Sequence, residues 1–318
     1  MRFITALFWF SLAFGVCTTI GTYFRLAESS KAALAPAFRV VVLTWTRHRA
    51  LRRLLHSLEH THYNGSVIQL ELHFDGPTEK KRREWNQTME VAQTFHFSHG
   101  EKIIKVAREN GGLRRAWLNA WPRAGLEGDV QTLILEDDIE VSPWWFKWLT
   151  TMWKTYGHRN DLGGITLNRQ QQLATKGWDG EQFEVLNGNL PFLNKIVGSW
   201  GFSPHPRHWR RFLDSKREWI NTVPKIGKLG INRWMKTKKG SVWTMFWMKW
   251  SLRQKLYTLY VTCPGKTALA IHHREAGEHF VSTQGARYSV MKKWPALWSR
   301  KPPNHLKLYG WDLKAIVI

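Results

Sequence analysis

Asp129-Val-Gln-Thr-Leu-Ile-Leu-Glu-Asp-Asp-Ile-Glu140 is the stretch on which the reading of this chain turns. Its apolar residues within Thr132–Leu135 form a short buried strand that runs straight into three consecutive carboxylates, Glu136, Asp137 and Asp138. Like charges repel, and carboxylates taken out of water need a compensating charge. A divalent cation would supply it, since hard oxygen ligands suit Mg²⁺ or Mn²⁺. At the carboxyl end of a strand in an α/β sheet, the three acids also stand where ligands bind. An isolated Glu-Asp-Asp is more often a solvated turn. The sequence upstream argues against that here.

Phe38–Thr44 is a β-branched run and reads as a buried strand. Over Arg47–His60, Leu51, Leu54, Leu55 and Leu58 recur at helical spacing. Val67–Phe74 predicts a second strand that ends at the turn signal Asp75-Gly76-Pro77, and Thr78 starts a helix reaching Phe95. Lys102–Val106 is a third strand, followed by Glu109-Asn-Gly-Gly112 and a helix over Leu113–Ala120. The fourth strand ends at the acids. Strands alternating with helices predict an α/β fold with a Rossmann-like, mostly parallel central sheet. Beyond it, the pattern predicts a helix over Pro143–Tyr156 and strands at Gly163–Leu167 and Val197–Phe202. Lys225–Lys239 reads as a basic loop or exposed helix, and the aromatic-rich Val242–Tyr260 as helical.

The N-terminus is of a different kind. Phe3 to Phe24 carries no charge and is mostly apolar, long enough to cross a bilayer, with Arg2 before it and Arg25 after it. Residues 1–25 therefore read as a transmembrane signal anchor with a minimal cytosolic tail, and 26–37 as a stem. A cleaved signal peptide is the other reading. The anchor predicts a single-pass type II protein of the Golgi or endoplasmic reticulum membrane, its folded part, 38–318, in the lumen. Sequons at Asn64 and Asn86 are compatible with that. The two cysteines, Cys17 and Cys263, exclude a disulfide framework and a cysteine zinc site. A formal charge of +23 implies anionic partners: nucleic acid, acidic headgroups or nucleotide diphosphates. The 20 tryptophans suit stacking on sugars or bases, and equally a core.

Thr44-Trp-Thr-Arg47 after the first strand, Asp75 after the second, Glu109-Asn-Gly-Gly112 with Asn119, and then Glu136-Asp-Asp138 stand in an order that resembles GT-A-fold glycosyltransferases. The middle part is similar to the family 2 pattern, in which an Asn-x-Gly turn and a helical Asn precede the metal-binding acids. The triplet and Gly198-Ser-Trp-Gly201 resemble the N-acetylglucosaminyltransferase I type. The resemblance covers roughly residues 38–282. It implies a nucleotide-sugar-binding half over 38–140 and an acceptor half over 141–318. In that frame Asp138 contacts the metal, Mn²⁺ or Mg²⁺, with Asp137 or Glu136 in support. Thr44, Arg47, Asn110, Gly111, Gly112, Arg114 (or Arg115) and Asn119 fall on the donor side. Asp75 is placed to bond the base or ribose, or is simply a turn residue. Trp200 and Gly201 suit an acceptor platform, or a core tryptophan beside a turn.

Near the C-terminus, Ile271-His-His-Arg-Glu275 follows a strand-like Thr267–Ile271, and GT-A enzymes frequently supply a late histidine or acid to the metal or diphosphate. His272 and His273 are both candidates. The catalytic base is less visible. Where the N-acetylglucosaminyltransferase I type carries an Asp pair in an aromatic setting, this chain reads Trp243-Thr-Met-Phe-Trp-Met-Lys-Trp250, without an acid. Asp214 and Glu218 are the nearest upstream candidates, although their basic neighbours equally suggest surface ion pairs.

The resemblance thus implies a metal-dependent hexosyl- or N-acetylhexosaminyltransferase of the secretory pathway. It would be inverting, with retaining chemistry left open by the absent base, and would act on a glycan, glycoprotein or lipid acceptor. A GT-A-like carbohydrate-binding protein without catalysis is the alternative. A basic polyanion binder is a further one, opposed by the acidic strand end and the anchor, so nucleic acid is not the expected partner.

Overall fold

The computed structural model describes residues 24–27, 36–121, 130–170, 184–230, 232, 242–276 and 282–316. Its elements are β1 (Phe24–Ala27), β2 (Phe38–Thr44), α1 (His48–Glu59), β3 (Ile68–Phe74), α2 (Arg82–Thr94), β4 (Lys102–Val106), α3 (Gly112–Ala120) and β5 (Gln131–Glu136). They continue as β6 (Ile139–Val141), α4 (Trp145–Tyr156), β7 (Leu162–Thr166), β8 (Pro191–Asn194), β9 (Phe202–Pro204), α5 (Pro206–Asp214) and α6 (Lys216–Trp219). Last come α7 (Trp243–Arg253), β10 (Tyr257–Val261), β11 (Thr267–Ala268), β12 (Ala270–His272), β13 (Ser289–Val290), β14 (Leu308–Tyr309) and β15 (Ala315–Ile316).

Among the described residues, eleven strands form one sheet in the order β1-β4-β3-β2-β5-β9-β7-β10-β8-β14-β15. The block β4-β3-β2-β5 is parallel, as the strand–helix alternation predicts. Beyond β5 the antiparallel strand β9 joins it to β7, which pairs in parallel with β10. The chain steps outward from β2 to β3 and β4, then returns to lay β5 on the other side of β2. The strand order therefore reverses between β2 and β5, where α/β sheets open a crevice at their carboxyl ends.

Period-two alternation splits the side chains of these strands between two cores. Phe38, Val40, Val42, Leu70, Leu72, Leu133 and Leu135 pack with Leu51, Leu54, Leu55 and Leu58 of α1. Each such leucine stabilises the fold by roughly 2 kcal/mol. Val41, Leu43 and Ile134 face the other way, onto Trp117 of α3 and Trp243, Phe246 and Trp247 of α7. Trp117, Trp121, Trp145, Trp148, Trp209 and Trp247 are fully buried, so core packing absorbs much of the tryptophan content.

Several expectations need correction. Val197–Phe202 is not a strand: Gly201 takes φ +80° and closes a turn, and β9 begins only at Phe202. Val242–Tyr260 is not one helix, because Lys255 at φ +54° ends α7 and the chain enters β10. The basic stretch at 231 and 233–239 lies outside the described residues, as does the proposed anchor up to residue 23. Phe24 and Arg25, the last two residues of that anchor, belong to β1, which pairs antiparallel with β4 from Phe24↔Val106 to Ala27↔Ile103. Among the described residues no helix is long and apolar enough to cross a membrane. The expected Golgi or endoplasmic reticulum membrane location is withdrawn on that finding.

On β3, the face turned away from α1 and α2 is polar. Glu71 accepts hydrogen bonds from His73 Nε2 at 2.8 Å and Lys105 Nζ at 2.7 Å, and Arg39 stands 3.5 Å away. Burial alone would raise the Glu71 carboxyl, but His73 and Lys105 outweigh it and hold it down at about 2, against the ordinary 4.5. A depressed carboxyl contributes stability above its unfolded value and loses it as pH falls toward the folded one. The shift corresponds to stabilisation on the order of 3 kcal/mol. Glu71→Gln should therefore lower the melting temperature at pH 7, with the gap to wild type closing between about pH 5 and pH 2. Thermal melts across that range check it, and a gap that does not change with pH would refute it.

Candidate functional site

Three strand ends meet at the reversal point. The Asp75 amide donates to Thr44 O at 3.0 Å and the Asp137 amide to Leu43 O at 3.1 Å, so the ends of β3 and β5 are both tied to β2. Trp45 reaches across, its indole donating to Gly76 O at 3.0 Å. Gly76 is required here, since a Cβ would lie 2.2 Å from the carbonyl carbon of Glu109. Asn110 Nδ2 approaches Gly76 O at 3.4 Å.

Asp75 caps the next turn. Its Oδ1 accepts from the amides of Gly76 at 3.0 Å and Gly111 at 2.8 Å, and its Oδ2 from that of Gly112 at 2.8 Å. Gly112 takes φ +73°, a conformation suited to glycine, and begins α3. Of the two arginines that follow, Arg115 pairs with Glu109 at 2.6 Å and Arg114 lies over the Phe246 ring at 5.5 Å. Asn119 is half-buried on α3, two residues beyond Trp117 and so roughly 200° around the helix from it.

The acids form the centre. Asp137 is 1% exposed and Asp138 3%. Asp137 Oδ2 accepts from Thr44 Oγ1 at 2.8 Å, and its Oδ1 is ion-paired with Arg47. The same guanidinium donates from Nη1 to Asp138 Oδ2 at 2.6 Å, forking across both carboxylates. Glu136 Oε1 accepts from the Trp117 indole at 3.0 Å. The other oxygen of Asp138, Oδ1, is buried without a hydrogen-bond partner. These surroundings divide the acids. Burial, reinforced by the Asp138 charge, pushes the Glu136 carboxyl up to about 7. Burial also raises Asp137, against the pull of Arg47. It opposes ionisation of Asp138 as well, but Arg47 and His272 prevail and hold that carboxyl well below its ordinary value. Desolvation works against the Arg47 charge, and Asp137 and Asp138 overcome it, so the guanidinium is kept protonated.

The histidine arrives from the far end of the sequence. Strand β12 pairs antiparallel with β6, His272 opposite Ile139, and the His273 amide donates to Asp138 O at 3.0 Å. This ladder brings His272 Nε2 to 3.0 Å from Asp138 Oδ2, while the Trp200 ring stacks on the imidazole at 5.0 Å and 25°. His273 points elsewhere, its Nε2 2.8 Å from Glu140 Oε2. Gly201 closes the turn that carries Trp200, its carbonyl accepting from the Leu167 amide at 2.8 Å.

The structure thus brings Thr44, Arg47, Glu136, Asp137, Asp138, His272 and Trp200 together, with Asp75, Asn110, Gly111 and Gly112 on the adjoining loop. Asp214 and Glu218 are exposed on α5 and α6 and are not among the groups that contact the acids. Sequence reading missed the Trp117 indole on Glu136 and the Glu140–His273 pair. Nothing in the sequence signals the first, but the β6–β12 ladder generates the second.

As a metal site the cluster is incomplete. Among the described residues no three His, Cys, Asp or Glu side chains converge to hold an ion. The partnerless Asp138 Oδ1 and the adjacent imidazole nevertheless give an oxygen–nitrogen donor pair that suits Mn²⁺. These two residues would hold the ion, leaving other positions to ligand and water.

No family model matches the chain, and no curated protein matches it. Solved structures similar to it include residues 1–349 of S. aureus TarS in complex with UDP-GlcNAc. That likeness has 12% identity, 83% of this chain and 61% of that one covered, and a TM-score of 0.41. A mannosyltransferase, PcManGT from Pyrobaculum calidifontis in complex with GDP-Man and Mn²⁺, gives 12% identity, 62% and 51% coverage and a TM-score of 0.37. An active-site mutant of LgtC gives 16%, 61% and 68%, and 0.31. The chain spans about half to three-fifths of the length of the TarS and PcManGT chains it resembles. At these TM-scores the likenesses carry no weight, and the functional reading rests on the chain's own residues.

Because the Asp75 carboxylate is spent on three backbone amides, its first role is to hold the Gly111–Gly112 turn. Asp75→Ala should cost about 2–3 kcal/mol of stability, from the loss of charge-assisted hydrogen bonds, and Asp75→Asn less. Urea denaturation measures both; an Ala variant as stable as wild type would return Asp75 to the ligand-binding role.

Proposed function

We propose that this chain is a glycosyltransferase that uses a nucleotide-sugar donor. The observation that carries the reading is the convergence of Asp137, Asp138, Arg47 and His272 at the strand-order reversal between β2 and β5. That arrangement suits a phosphate-bearing donor: a cationic fork and an imidazole beside buried acids, at the crevice where nucleotides bind such sheets. Thr44, Asn110 and the Gly111–Gly112 turn line the same end, and Arg114 stands on the helix that follows the turn.

Bound by Asp138 and His272, Mn²⁺ or Mg²⁺ would supply positive charge against the departing diphosphate. The remaining steps belong to side chains. Arg47 offers hydrogen bonds to phosphate oxygens, and Trp117 holds Glu136 in place. Trp200, braced on His272, offers a half-buried indole face to an acceptor sugar.

In an inverting transfer the acceptor hydroxyl oxygen bonds to the anomeric carbon as the bond from that carbon to the diphosphate oxygen breaks. The hydroxyl proton passes to a carboxylate. Asp214 and Glu218 are candidates for that role from the sequence. Glu140 is a third, and the geometry favours it, because it lies two residues beyond Asp138 on β6 and is paired with His273. The acceptor class is proposed as a glycan, glycoprotein or lipid, and the transferred unit as a hexose or N-acetylhexosamine.

One observation supports a non-catalytic carbohydrate-binding role: α7 holds no acid, and its Trp243, Met245, Phe246, Trp247, Met248 and Trp250 are buried as core.

The two readings separate on a panel of nucleotide sugars incubated with the full chain, with and without Mn²⁺. The transferase reading expects ion-dependent release of nucleoside diphosphate, abolished in Asp138→Asn. With an acceptor in hand, Glu140→Gln should lower kcat by about 100-fold with KM little changed, while Asp214→Asn and Glu218→Gln stay near wild type. Failure to release diphosphate from any donor, together with absence of ion-dependent nucleotide binding by calorimetry, would leave the carbohydrate-binding role.

A further inference from the structure

Arg47 sets this site apart from an open ion cage. It is the third residue past the end of β2, immediately before α1, and it spans both aspartates. Its guanidinium occupies Asp138 Oδ2, the oxygen that His272 also approaches. Asp137 and Asp138 are nearly sealed from solvent, whereas the Arg47 side chain is 28% exposed. The counter-charge is thus the part of the cluster with an exit to solvent, and the acids are the fixed part. The other oxygen of Asp138, Oδ1, is buried with no hydrogen-bond donor.

We infer that Arg47 is a built-in counter-cation for the Asp137–Asp138 pair, and that it and a divalent ion exclude one another there. Arg47 Nη1 at 2.6 Å and His272 Nε2 at 3.0 Å share Asp138 Oδ2, so an ion taken between Asp138 and His272 meets the guanidinium at contact distance in a site walled from water, where like charges repel strongly. An ion entering at Asp138 therefore displaces the guanidinium toward the solvent side. An arginine freed from two acids is a bidentate donor suited to phosphate. Ion binding and diphosphate binding are then coupled through one side chain: the ion releases Arg47, and the diphosphate gives Arg47 a new partner. The exclusion stands on the geometry alone; the coupling to diphosphate rests on the glycosyltransferase reading.

The test is Mn²⁺ binding to the full chain, followed by electron paramagnetic resonance at fixed pH, with and without UDP or GDP. The proteins are wild type, Arg47→Gln, Arg47→Lys, Asp138→Asn and Arg53→Gln. Arg53 pairs with Glu275 at 2.7 Å and is a control for loss of a nearby positive charge. Without nucleotide, Arg47→Gln should bind Mn²⁺ at least tenfold more tightly than wild type, and Arg47→Lys to an intermediate degree. Arg53→Gln should change affinity less than threefold. Added nucleoside diphosphate should tighten Mn²⁺ binding to wild type several-fold and to Arg47→Gln far less. Should Arg47→Gln not fold, the Arg47→Lys increase and its reduced nucleotide effect carry the test. Equal or weaker Mn²⁺ binding by both Arg47 variants, with binding abolished in Asp138→Asn, would overturn the exclusion and leave the transferase reading intact. Unchanged binding in Asp138→Asn would place the ion elsewhere and overturn both this inference and the metal-dependent form of that reading.

Discussion

Neutralising three adjacent carboxylates at the end of a buried strand is the constraint around which this structure is arranged. An unpaired buried charge costs several kcal/mol, and replacing such a cluster by apolar residues often stabilises a protein. Stability is thus no reason to keep it. Each acid instead meets a different solution. Glu136 is pushed toward neutrality by burial and bonded by an indole, Asp137 is held by Thr44 and Arg47, and Asp138 stays ionised between Arg47 and His272. Each solution draws on another part of the fold: Thr44 and Arg47 from the end of β2, Trp117 from α3, His272 from β12.

That dependence explains why separate loops share one geometry. The end of β2 is the common support, since Leu43 and Thr44 carbonyls accept the first amides beyond β5 and β3. Trp45 and Asp75 extend the arrangement sideways, one bracing Gly76 and the other pinning the Gly111–Gly112 turn. The acid cluster and the glycine turn are therefore not independent features that happen to share an edge. A displacement of β2 by a fraction of an ångström would be felt by both.

The parallel block was legible in the sequence because its signals are local. Apolar runs, leucines at helical spacing and turn residues identified β2 through β5, and the parallel order of those strands places Thr44, Asp75 and Glu136 at one end. The aspartate pair at the β5 end and its proximity to Thr44 follow from that order. What stayed hidden depends on contacts distant in sequence. His272 and His273 look equivalent as neighbours. Strand alternation on the β12 ladder separates them, giving one to Asp138 and the other to Glu140. The fork of Arg47 was hidden too, because a sequence gives no rotamer. In Gly198–Gly201, apolar neighbours suggested a strand, but the positive φ of Gly201 made a turn, and that turn presents Trp200 to the imidazole.

The excess of basic residues takes on a specific meaning beside this cluster. With 47 Lys and Arg against 24 Asp and Glu, the chain has cations to spare, yet it commits three acids to one strand end. Arg47 is forked across two of them, while Lys105 and Arg39 are engaged with Glu71 on β3. The rest of the positive charge sets a long-range field that draws anions toward the protein. At the carboxyl edge of β2 and β5 that field meets a pair of carboxylates which would repel an arriving diphosphate unless their charge were covered. A guanidinium with one side open to solvent covers it and can also turn toward the newcomer. Attraction at long range and compensation at short range thus work in the same direction, and Arg47 is the residue that links them.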